Sequence, residues 1–381
     1  MACPDKRMAI SVISLVAADA MTRLAEFDTV IDARSEDEFT HDHLPHAVNW
    51  PTLNNEERRD IGTLYKQVNP FEARKRGAAL AARRIAGHID REVMDKPKHW
   101  KPLIYCWRGG QRSGALALIL SQIGFQVTLI EGGYKAFRAA MVQDIVRLAS
   151  SLHFQVVCGP TGSGKTRLLQ ALATQGAQVL DMENLARHRS SVLGAIPGLE
   201  QPSQKRFDTL IWDTLRGFSQ NQPVFVESES KKIGNVSVPA ALIDAMRMST
   251  CLNVLMPDNE RVALLMEDYD ALVRHVDDFC NRLASLTAIK GRCVVENWQA
   301  QARSGQWETV VQDLLTHHYD PAYWQSIDRN FVQFKNAKTI APNDRSMRAM
   351  ADLAHQLLMS APDSWHMPQT VGAEPSATAS G

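Results

Sequence analysis

The chain has no excess of either sign of charge. Among its 381 residues, 42 Lys and Arg balance 42 Asp and Glu. The overall charge therefore gives no indication of a nucleic-acid or membrane partner. Any basic surface that binds a polyanion must be local.

Long apolar runs are missing as well. No segment approaches the roughly 20 apolar residues that a membrane helix requires. The apolar start, MAISVISLVAA, is short and is followed by Asp19 instead of a cleavage signature. The prediction is a soluble, cytoplasmic protein that does not associate with membranes.

Cysteine pairs with the spacing of metal sites are also absent. The six cysteines are scattered along the chain at positions 3, 106, 158, 251, 280 and 293. None belongs to a Cys-x-x-Cys pair, which argues against a zinc site and against a disulfide framework. Only Cys106 has neighbours that suggest a special role.

What the chain does contain is an alternation of strand and helix patterns, typical of an α/β fold with parallel sheets. A first series includes the strand patterns DTVIDARS, KPLIYC and QVTLIEGG, and a second series includes HFQVVCGP, AQVLD and PVFVES. From about Arg261 onward the pattern becomes helical. We predict one domain over residues 1–140, a second with a helical C-terminal part over residues 150–360, and a disordered tail over residues 361–381.

The stretch YCWRGGQRSG places Cys106 between a predicted strand and a predicted helix, where open α/β sheets bind ligands. Glycines in this loop let backbone N–H groups face the sulfur, while arginines and the helix dipole favour negative charge. Such surroundings lower a thiol pKa and produce a reactive thiolate. The predicted catalytic residues are Cys106, Arg108 and Arg112, and the predicted anion-holding residues are Gly109, Gly110, Gln111 and Ser113.

The spacing Cys-x5-Arg-Ser is shared by two chemistries. Cysteine phosphatases attack phosphorus with such a loop, and rhodanese-like sulfurtransferases carry sulfur or selenium on the cysteine. The upstream segment IDARSEDEFTHDHLPHAVNWP resembles the rhodanese signature, although His46 replaces its usual glycine. The loop is one residue longer than the common rhodanese form Cys-x4-Arg, which leaves the phosphatase open, but Tyr105 stands where a phosphatase would have His.

The segment GPTGSGKT fits the pattern GxxxxGK[ST] between a predicted strand and a predicted helix. Backbone N–H groups in this pattern cradle phosphate oxygens, lysine adds a charge, and the hydroxyl can hold Mg²⁺. The predicted phosphate-binding residues are Gly159, Gly162, Ser163, Gly164, Lys165 and Thr166. Asp181, Glu227 and Glu229 are candidate carboxylates on the metal side. Since the usual strand-end Asp is replaced, no metal ligand is firmly assigned and nucleotide hydrolysis does not follow from the loop.

The two loops in this order resemble the bacterial tRNA 2-selenouridine synthase family. Further segments that resemble this family are NNEERRDIGTLYKQVNPFEARKRGAALAARRIA, EGGYKAFR, VLDMENLARHRSS, VESESKKIG and HYDPAYWQS. The resemblance extends from about Phe27 to about Ser326. It implies an N-terminal rhodanese-like parallel-sheet domain followed by a P-loop α/β domain with a helical C-terminal part.

The resemblance also implies an activity. Members of the family replace sulfur by selenium at position 2 of the wobble uridine (U34) in tRNAs for Lys, Glu and Gln. The 2-thio group is first alkylated from geranyl diphosphate, and selenium from selenophosphate then displaces the S-geranyl group. On this interpretation Cys106 accepts selenium as a selanyl adduct and the P-loop holds the diphosphate. No tightly bound cofactor is implied, and Mg²⁺ is a candidate ion.

The implied partners are tRNA and an upstream enzyme that produces selenophosphate, and we expect a monomer. A tRNA requires a local basic surface for its phosphate backbone. The richest segment is FEARKRGAALAARR, and its candidate tRNA contacts are Arg74, Lys75, Arg76, Arg83 and Arg84. Three alternatives remain: a rhodanese-type sulfurtransferase coupled to a P-loop ATPase, a cysteine phosphatase, and a phosphate-sensing binding module.

Overall fold

The computed structural model describes residues 12–189, 194, 196, 198–268 and 275–360, so the predicted tail lies outside the described residues. The chain divides into two compact units, each with a five-stranded sheet. The first unit comprises Met1–Ser151, Met182–Gly217 and Glu229–Ala245, and the second comprises Leu152–Asp181, Phe218–Ser228 and Met246–Gly381. The prediction of an α/β fold with two parallel sheets and a helical C-terminal part is confirmed.

The sheet of the first unit has the strand order β1-β5-β4-β2-β3, and every pairing in it is parallel. Its strands are β1 (Ile13–Leu15), β2 (Thr29–Asp32), β3 (Ala47–Asn49), β4 (Pro102–Tyr105) and β5 (Thr128–Ile130). The helices that accompany them are α1 (Ala17–Thr22), α2 (Glu36–His41), α3 (Asn55–Gln67), α4 (Pro70–Glu92), α5 (Gln111–Ile123) and α6 (Gly133–Ser151).

The central strand β4 positions the cysteine loop. All four of its residues are buried, as expected for a parallel strand covered on both faces. Ile104 packs in a core cluster with Leu116 and Leu120 of α5. Because β4 ends at Tyr105 and α5 begins at Gln111, the cysteine loop lies at the carboxyl edge of the sheet.

Between β3 and β4 the chain forms a helical hairpin, α3–α4. Asn54 caps α3 in a capping box with Glu57, and the amide of Asn69 caps α4, which begins at Pro70. The two helices pack against each other. The first unit also contains α8 (Met182–Ala186), α9 (Gln204–Leu215) and the antiparallel pair β9 (Lys232–Ile233) and β10 (Val236–Ser237).

The sheet of the second unit has the order β12-β11-β6-β8-β7, again with parallel pairings only. Its strands are β6 (Phe154–Cys158), β7 (Gln178–Leu180), β8 (Val224–Glu227), β11 (Thr250–Val254) and β12 (Lys338–Ile340). The first helix, α7 (Lys165–Thr174), follows β6 through the glycine-rich loop, and α10 (Ala240–Met248) precedes β11 in the chain.

The C-terminal part of the second unit is mostly helical. Its helices are α11 (Asp258–Asp268), α12 (Val276–Ala284), α13 (Thr287–Lys290), α14 (Arg292–Arg303), α15 (Trp307–Leu314), α16 (Asp320–Asn330) and α17 (Met347–Met359). A π-helical turn, Leu315–Tyr319, joins α15 to α16. Over the described part of the chain, no helix is long and apolar enough to cross a membrane.

Candidate functional site

Cys106 is the first residue beyond the carboxyl end of β4 and is 3% exposed. Its sulfur accepts a hydrogen bond from the Ser113 hydroxyl at 3.1 Å and another from the Gly110 N–H at 3.3 Å. Burial opposes ionisation of the thiol. The hydrogen bonds from Ser113 and Gly110 and the charge of Arg112 outweigh burial, so the pKa of Cys106 lies below its ordinary value. The loop therefore favours a thiolate.

Backbone contacts hold this loop in place. The first N–H groups of α6 donate to it, from Tyr134 to the Cys106 carbonyl at 2.8 Å and from Lys135 to the Trp107 carbonyl at 3.1 Å. Gly133 has a φ of 57°, and a Cβ there would lie 2.2 Å from the Cys106 carbonyl oxygen. The turn after β5 therefore supports the loop only because this position has no side chain.

The two arginines of the loop have different surroundings. Arg112 donates to the Glu38 carboxylate at 2.7 Å, and Arg58 of α3 pairs with the same carboxylate at 2.9 Å. Burial works against the charge of Glu38, but Arg112 and Arg58 keep the pKa of its carboxyl below the ordinary value. Arg108 is exposed and forms no ion pair with any described residue. Arg112 is thus fixed beside the thiolate, and Arg108 is free to meet a ligand.

Cys106 lines a cavity of about 930 Å³ in the first unit. This volume is within the range of pockets that enclose small ligands. The helices α3 and α4 supply more than half of its lining residues. The full lining is Leu53, Arg58, Arg59, Ile61, Gly62, Thr63, Tyr65, Lys66, Gln67, Arg74, Cys106, Trp107, Arg108, Gly110, Gln111 and Arg112.

The structure does not bring the five predicted tRNA contacts together. Arg74 lines the cavity of Cys106. Arg83 and Arg84 line a separate cavity of about 300 Å³, and Arg84 also pairs with Glu57 at 2.7 Å. The other two are exposed on α4, where Lys75 pairs with Glu72 and Arg76 forms no ion pair with a described residue.

In the second unit, the predicted phosphate-binding residues form a loop between β6 and α7. Gly159, Gly162 and Gly164 have φ values of 149°, 78° and 84°, which residues with side chains rarely adopt. The Lys165 ammonium donates to the Gly159 carbonyl at 2.8 Å. The Ser163 hydroxyl is buried and has no hydrogen-bond partner among the described residues. Gly164 precedes α7, so the loop N–H groups lie at a helix N-terminus, as phosphate binding requires.

Two of the three candidate carboxylates, Glu227 and Asp181, belong to the same unit as this loop. Glu227, at the end of β8, accepts a hydrogen bond from the Thr166 hydroxyl at 2.7 Å. Burial and the nearby charge of Asp181 raise the pKa of Glu227, although Lys165 and Thr166 oppose this. Together Thr166, Glu227 and Asp181 offer the oxygen ligands that Mg²⁺ prefers. Glu229 is also buried but belongs to the first unit.

The C-terminal helices contribute residues that sequence reasoning did not identify. Tyr323 of α16 accepts a hydrogen bond from the Gly159 N–H at 2.6 Å, and burial raises the pKa of its phenol. Arg261 of α11 donates to the Thr161 carbonyl at 2.8 Å and pairs with Asp320 at 2.5 Å. Asp320 and Tyr323 both lie in the segment HYDPAYWQS, and its resemblance to the family was the only available signal.

Two family models match the chain. Residues 152–341 match the family model described as tRNA 2-selenouridine synthase AAA domain, and residues 16–140 match the rhodanese-like domain. A rhodanese-related protein from Thermoplasma volcanium, among the solved structures, is 19% identical, with a TM-score of 0.22, and the match covers 33% of this chain and 89% of that one.

Two curated relatives carry the same name. The tRNA 2-selenouridine synthase of Nitrosomonas europaea is 38% identical over 259 residues, which cover 67% of each chain. The tRNA 2-selenouridine synthase of Aeromonas salmonicida is 33% identical over 346 residues, which cover 81% of this chain and 90% of the relative. The chain therefore belongs to the tRNA 2-selenouridine synthase family.

Proposed function

We propose that this protein forms 2-selenouridine from 2-thiouridine at the wobble position of tRNA. The observation that carries the proposal is the Cys106 sulfur, which accepts hydrogen bonds from Ser113 and Gly110 in a cavity lined with cations. Relatives that cover most of the chain are named for this product. The substrates we propose are the tRNAs for Lys, Glu and Gln, with an upstream enzyme that supplies selenophosphate, and the protein acts as a monomer.

The first step we propose is S-geranylation. The 2-thio sulfur attacks the first carbon of geranyl diphosphate, the carbon–oxygen bond breaks, and diphosphate leaves with the electron pair. The P-loop N–H groups and Lys165 bind the leaving diphosphate, and Mg²⁺ held by Thr166, Glu227 and Asp181 would neutralise part of its charge. This step requires phosphate binding but no ATP hydrolysis.

The second step we propose is the exchange of sulfur for selenium. A thiocarbonyl sulfur is a poor leaving group, whereas an S-geranyl group leaves the activated ring carbon as a thiolate and then takes a proton. Selenium forms the new bond to C2. Water takes the phosphoryl group of selenophosphate as phosphate, so the net exchange needs neither an oxidant nor a reductant.

Cys106 is the nucleophile that we assign to the opening of the selenium–phosphorus bond. Attack on selenium gives the selanyl adduct predicted from the sequence and releases phosphorus with the bonding pair, at the oxidation level of phosphite. This route is not redox-neutral and requires a thiol that reduces the sulfur–selenium bond and frees selenide. Attack on phosphorus instead leaves a phosphoryl group on sulfur and releases selenide. A selenium isotope pattern on the Cys106 peptide identifies the first adduct, and phosphate on that peptide identifies the second.

The test is mass spectrometry of nucleosides from 2-thiouridine tRNA incubated with the protein, geranyl diphosphate and selenophosphate. We expect S-geranyl-2-thiouridine without selenophosphate and 2-selenouridine with it. The Cys106→Ala protein should accumulate the geranylated nucleoside. Full selenation by Cys106→Ala would overturn the role of the thiol. A second candidate function is a cysteine phosphatase, which the spacing Cys-x5-Arg favours. Release of phosphate from an aryl phosphate in the absence of RNA would support it.

A further inference from the structure

The hairpin α3–α4 forms one wall of the cavity that contains Cys106. Nine of the sixteen lining residues belong to it, eight from α3 and one, Arg74, from α4. The hairpin thus places its side chains opposite the thiolate loop. A ligand that reaches Cys106 through this cavity must contact the hairpin.

The lining of this cavity is strongly cationic. Six of its residues are Arg or Lys and none is Asp or Glu. Glu38 neutralises part of this charge, because it pairs with Arg58 and Arg112. By contrast, Arg59, Lys66 and Arg74 are exposed and form no ion pair with a described residue. These three cations add charge beyond what the thiolate loop itself requires.

The spacing of these cations exceeds what one small anion needs. Arg59 and Lys66 are separated by two turns of α3, or about 10 Å along the helix axis. A single selenophosphate bound at the Cys106 loop already meets the loop N–H groups, Arg108 and Arg112. A strand with successive phosphate groups can pair with several cations spaced along the hairpin.

An aromatic side chain lines the same cavity. Tyr65 of α3 lines the cavity and is 48% exposed. Trp107 also lines it, but its ring is already stacked on Tyr134 with centroids 5.4 Å apart. Exposed aromatic rings beside cations are how proteins bind unpaired bases, which stack on the ring while cations hold the phosphates.

We propose that the hairpin α3–α4 is the RNA clamp of this enzyme. Arg59, Lys66 and Arg74 bind backbone phosphates of the anticodon loop, and Tyr65 stacks on a neighbouring base, so that the target uridine enters the cavity of Cys106. This inference rests on the proposed function and deepens it. It selects Arg74 from the five basic residues predicted from the sequence. It also adds three residues of α3 that line the cavity, Arg59, Tyr65 and Lys66.

The test compares two double variants of the full chain. Arg59→Gln/Lys66→Gln removes two cations from the cavity, and Lys98→Gln/Lys101→Gln removes two exposed cations that do not line it. Binding of a synthetic anticodon stem–loop RNA is measured by fluorescence anisotropy at several salt concentrations. We expect the cavity variant to bind more weakly, with a salt slope smaller by about 1.4, because each phosphate contact on a single strand contributes about 0.7. The control should retain the wild-type slope.

Further measurements separate the outcomes. Tyr65→Ala should weaken RNA binding without changing the salt slope, because stacking releases no counterions. Equal slopes for the two double variants would overturn the clamp, as would a cavity variant that binds RNA normally but has a raised KM for selenophosphate. If wild-type protein binds the RNA with the expected slope but forms no 2-selenouridine, the proposed function fails while the clamp stands.

Discussion

The hydroxyl of Ser113 lies 3.1 Å from the sulfur of Cys106 and donates a hydrogen bond to it. Ser113 is in the first turn of α5, so the same helix supplies a donor from its side chain and a dipole from its backbone. Both stabilise negative charge on a sulfur that is otherwise buried. The reactivity of Cys106 therefore depends on Ser113, although Ser113 forms no bond to a substrate in the proposed reaction.

Ser113→Ala tests this dependence. Loss of the hydrogen bond raises the pKa of Cys106, so its alkylation by iodoacetamide should move to higher pH. At neutral pH we expect alkylation and selenation to be slower by roughly 10- to 100-fold, since a hydrogen bond to a charged group contributes about 1.5–3 kcal/mol. The alkylated Cys106 peptide is measured by mass spectrometry in a Cys293→Ser background, because Cys293 is exposed.

Ser121→Ala is the matched control for this experiment. Ser121 is also buried in α5, but its hydroxyl donates to the Leu118 carbonyl at 2.8 Å and not to the thiol. Its alkylation profile should match that of the wild type. A Ser113→Ala profile that coincides with the Ser121→Ala profile would contradict the assigned hydrogen bond.

Glu38→Gln is expected to shift the same profile in the opposite direction. Without this carboxylate, the charges of Arg112 and Arg58 are no longer balanced beside the thiolate. The pKa of Cys106 should fall further, and alkylation should move to lower pH. The free energy of unfolding should fall by about 1–3 kcal/mol, since two charged partners lose their acceptor. Glu26→Gln, which removes an exposed carboxylate, should change neither quantity.

Geranyl diphosphate binding is expected to depend on pH through Glu227. Burial raises the pKa of this carboxyl, and only the charged form is a ligand for Mg²⁺. Mg²⁺-dependent binding should therefore weaken as pH falls, beginning at a higher pH than for an ordinary glutamate. Calorimetric titration of geranyl diphosphate with and without Mg²⁺ measures this dependence.

Two substitutions separate the metal from the phosphate loop. Glu227→Gln should remove the dependence on both Mg²⁺ and pH while residual binding remains. Lys165→Ala should weaken binding at every pH, because the proposed function assigns the charge of Lys165 to the diphosphate. If the Lys165→Ala protein binds geranyl diphosphate with wild-type affinity, the diphosphate site must lie outside the P-loop.

Asp320→Asn is expected to destabilise the second unit. The guanidinium of Arg261, whose side chain is 5% exposed, pairs with Asp320 and holds the Thr161 carbonyl. Removing one partner of such a pair leaves a charge without compensation and should cost about 3 kcal/mol in urea unfolding. Glu296→Gln breaks the exposed pair with Arg292 and should leave the midpoint unchanged. Equal midpoints for the two variants would show that the Arg261 pair contributes nothing.

The parts of the site that sequence predicted are local in the chain. The Cys106 loop and the loop from Gly159 to Thr166 are each contiguous, and glycines in both take φ values that only their residue type allows easily. The strands β2, β4, β5, β6, β7 and β8 were also predicted, because each is a short apolar run at a loop. By contrast, β1, β3 and β12 were not predicted, and their length of three residues is not the reason, since β5 and β7 are equally short.

Contacts between distant residues could not be predicted. Glu38 and Arg112 are separated by 74 positions, and Gly159 and Tyr323 by 164. No pattern in a single sequence relates such positions. Similarly, the basic run on α4 gave no indication of which arginine faces the cavity, because neighbouring residues of a helix point in different directions.

His46 shows a different limit of prediction from the sequence. The missing glycine made the turn uncertain from sequence, yet His46 adopts a φ of 57° and thus keeps the left-handed backbone of a glycine turn. Histidine is among the residue types that tolerate this region. The surrounding fold imposes the turn, and the residue at its tip adapts to it.

Gly133 has a consequence for how mutational data on this enzyme should be interpreted. Any side chain there would overlap the carbonyl oxygen of Cys106 and the amide nitrogen of Gly109. Every substitution at this position should therefore abolish selenation while leaving all reactive atoms in the chain. A saturation scan scored only by growth or product would rank Gly133 beside the nucleophile, although its whole contribution is the space that it leaves empty.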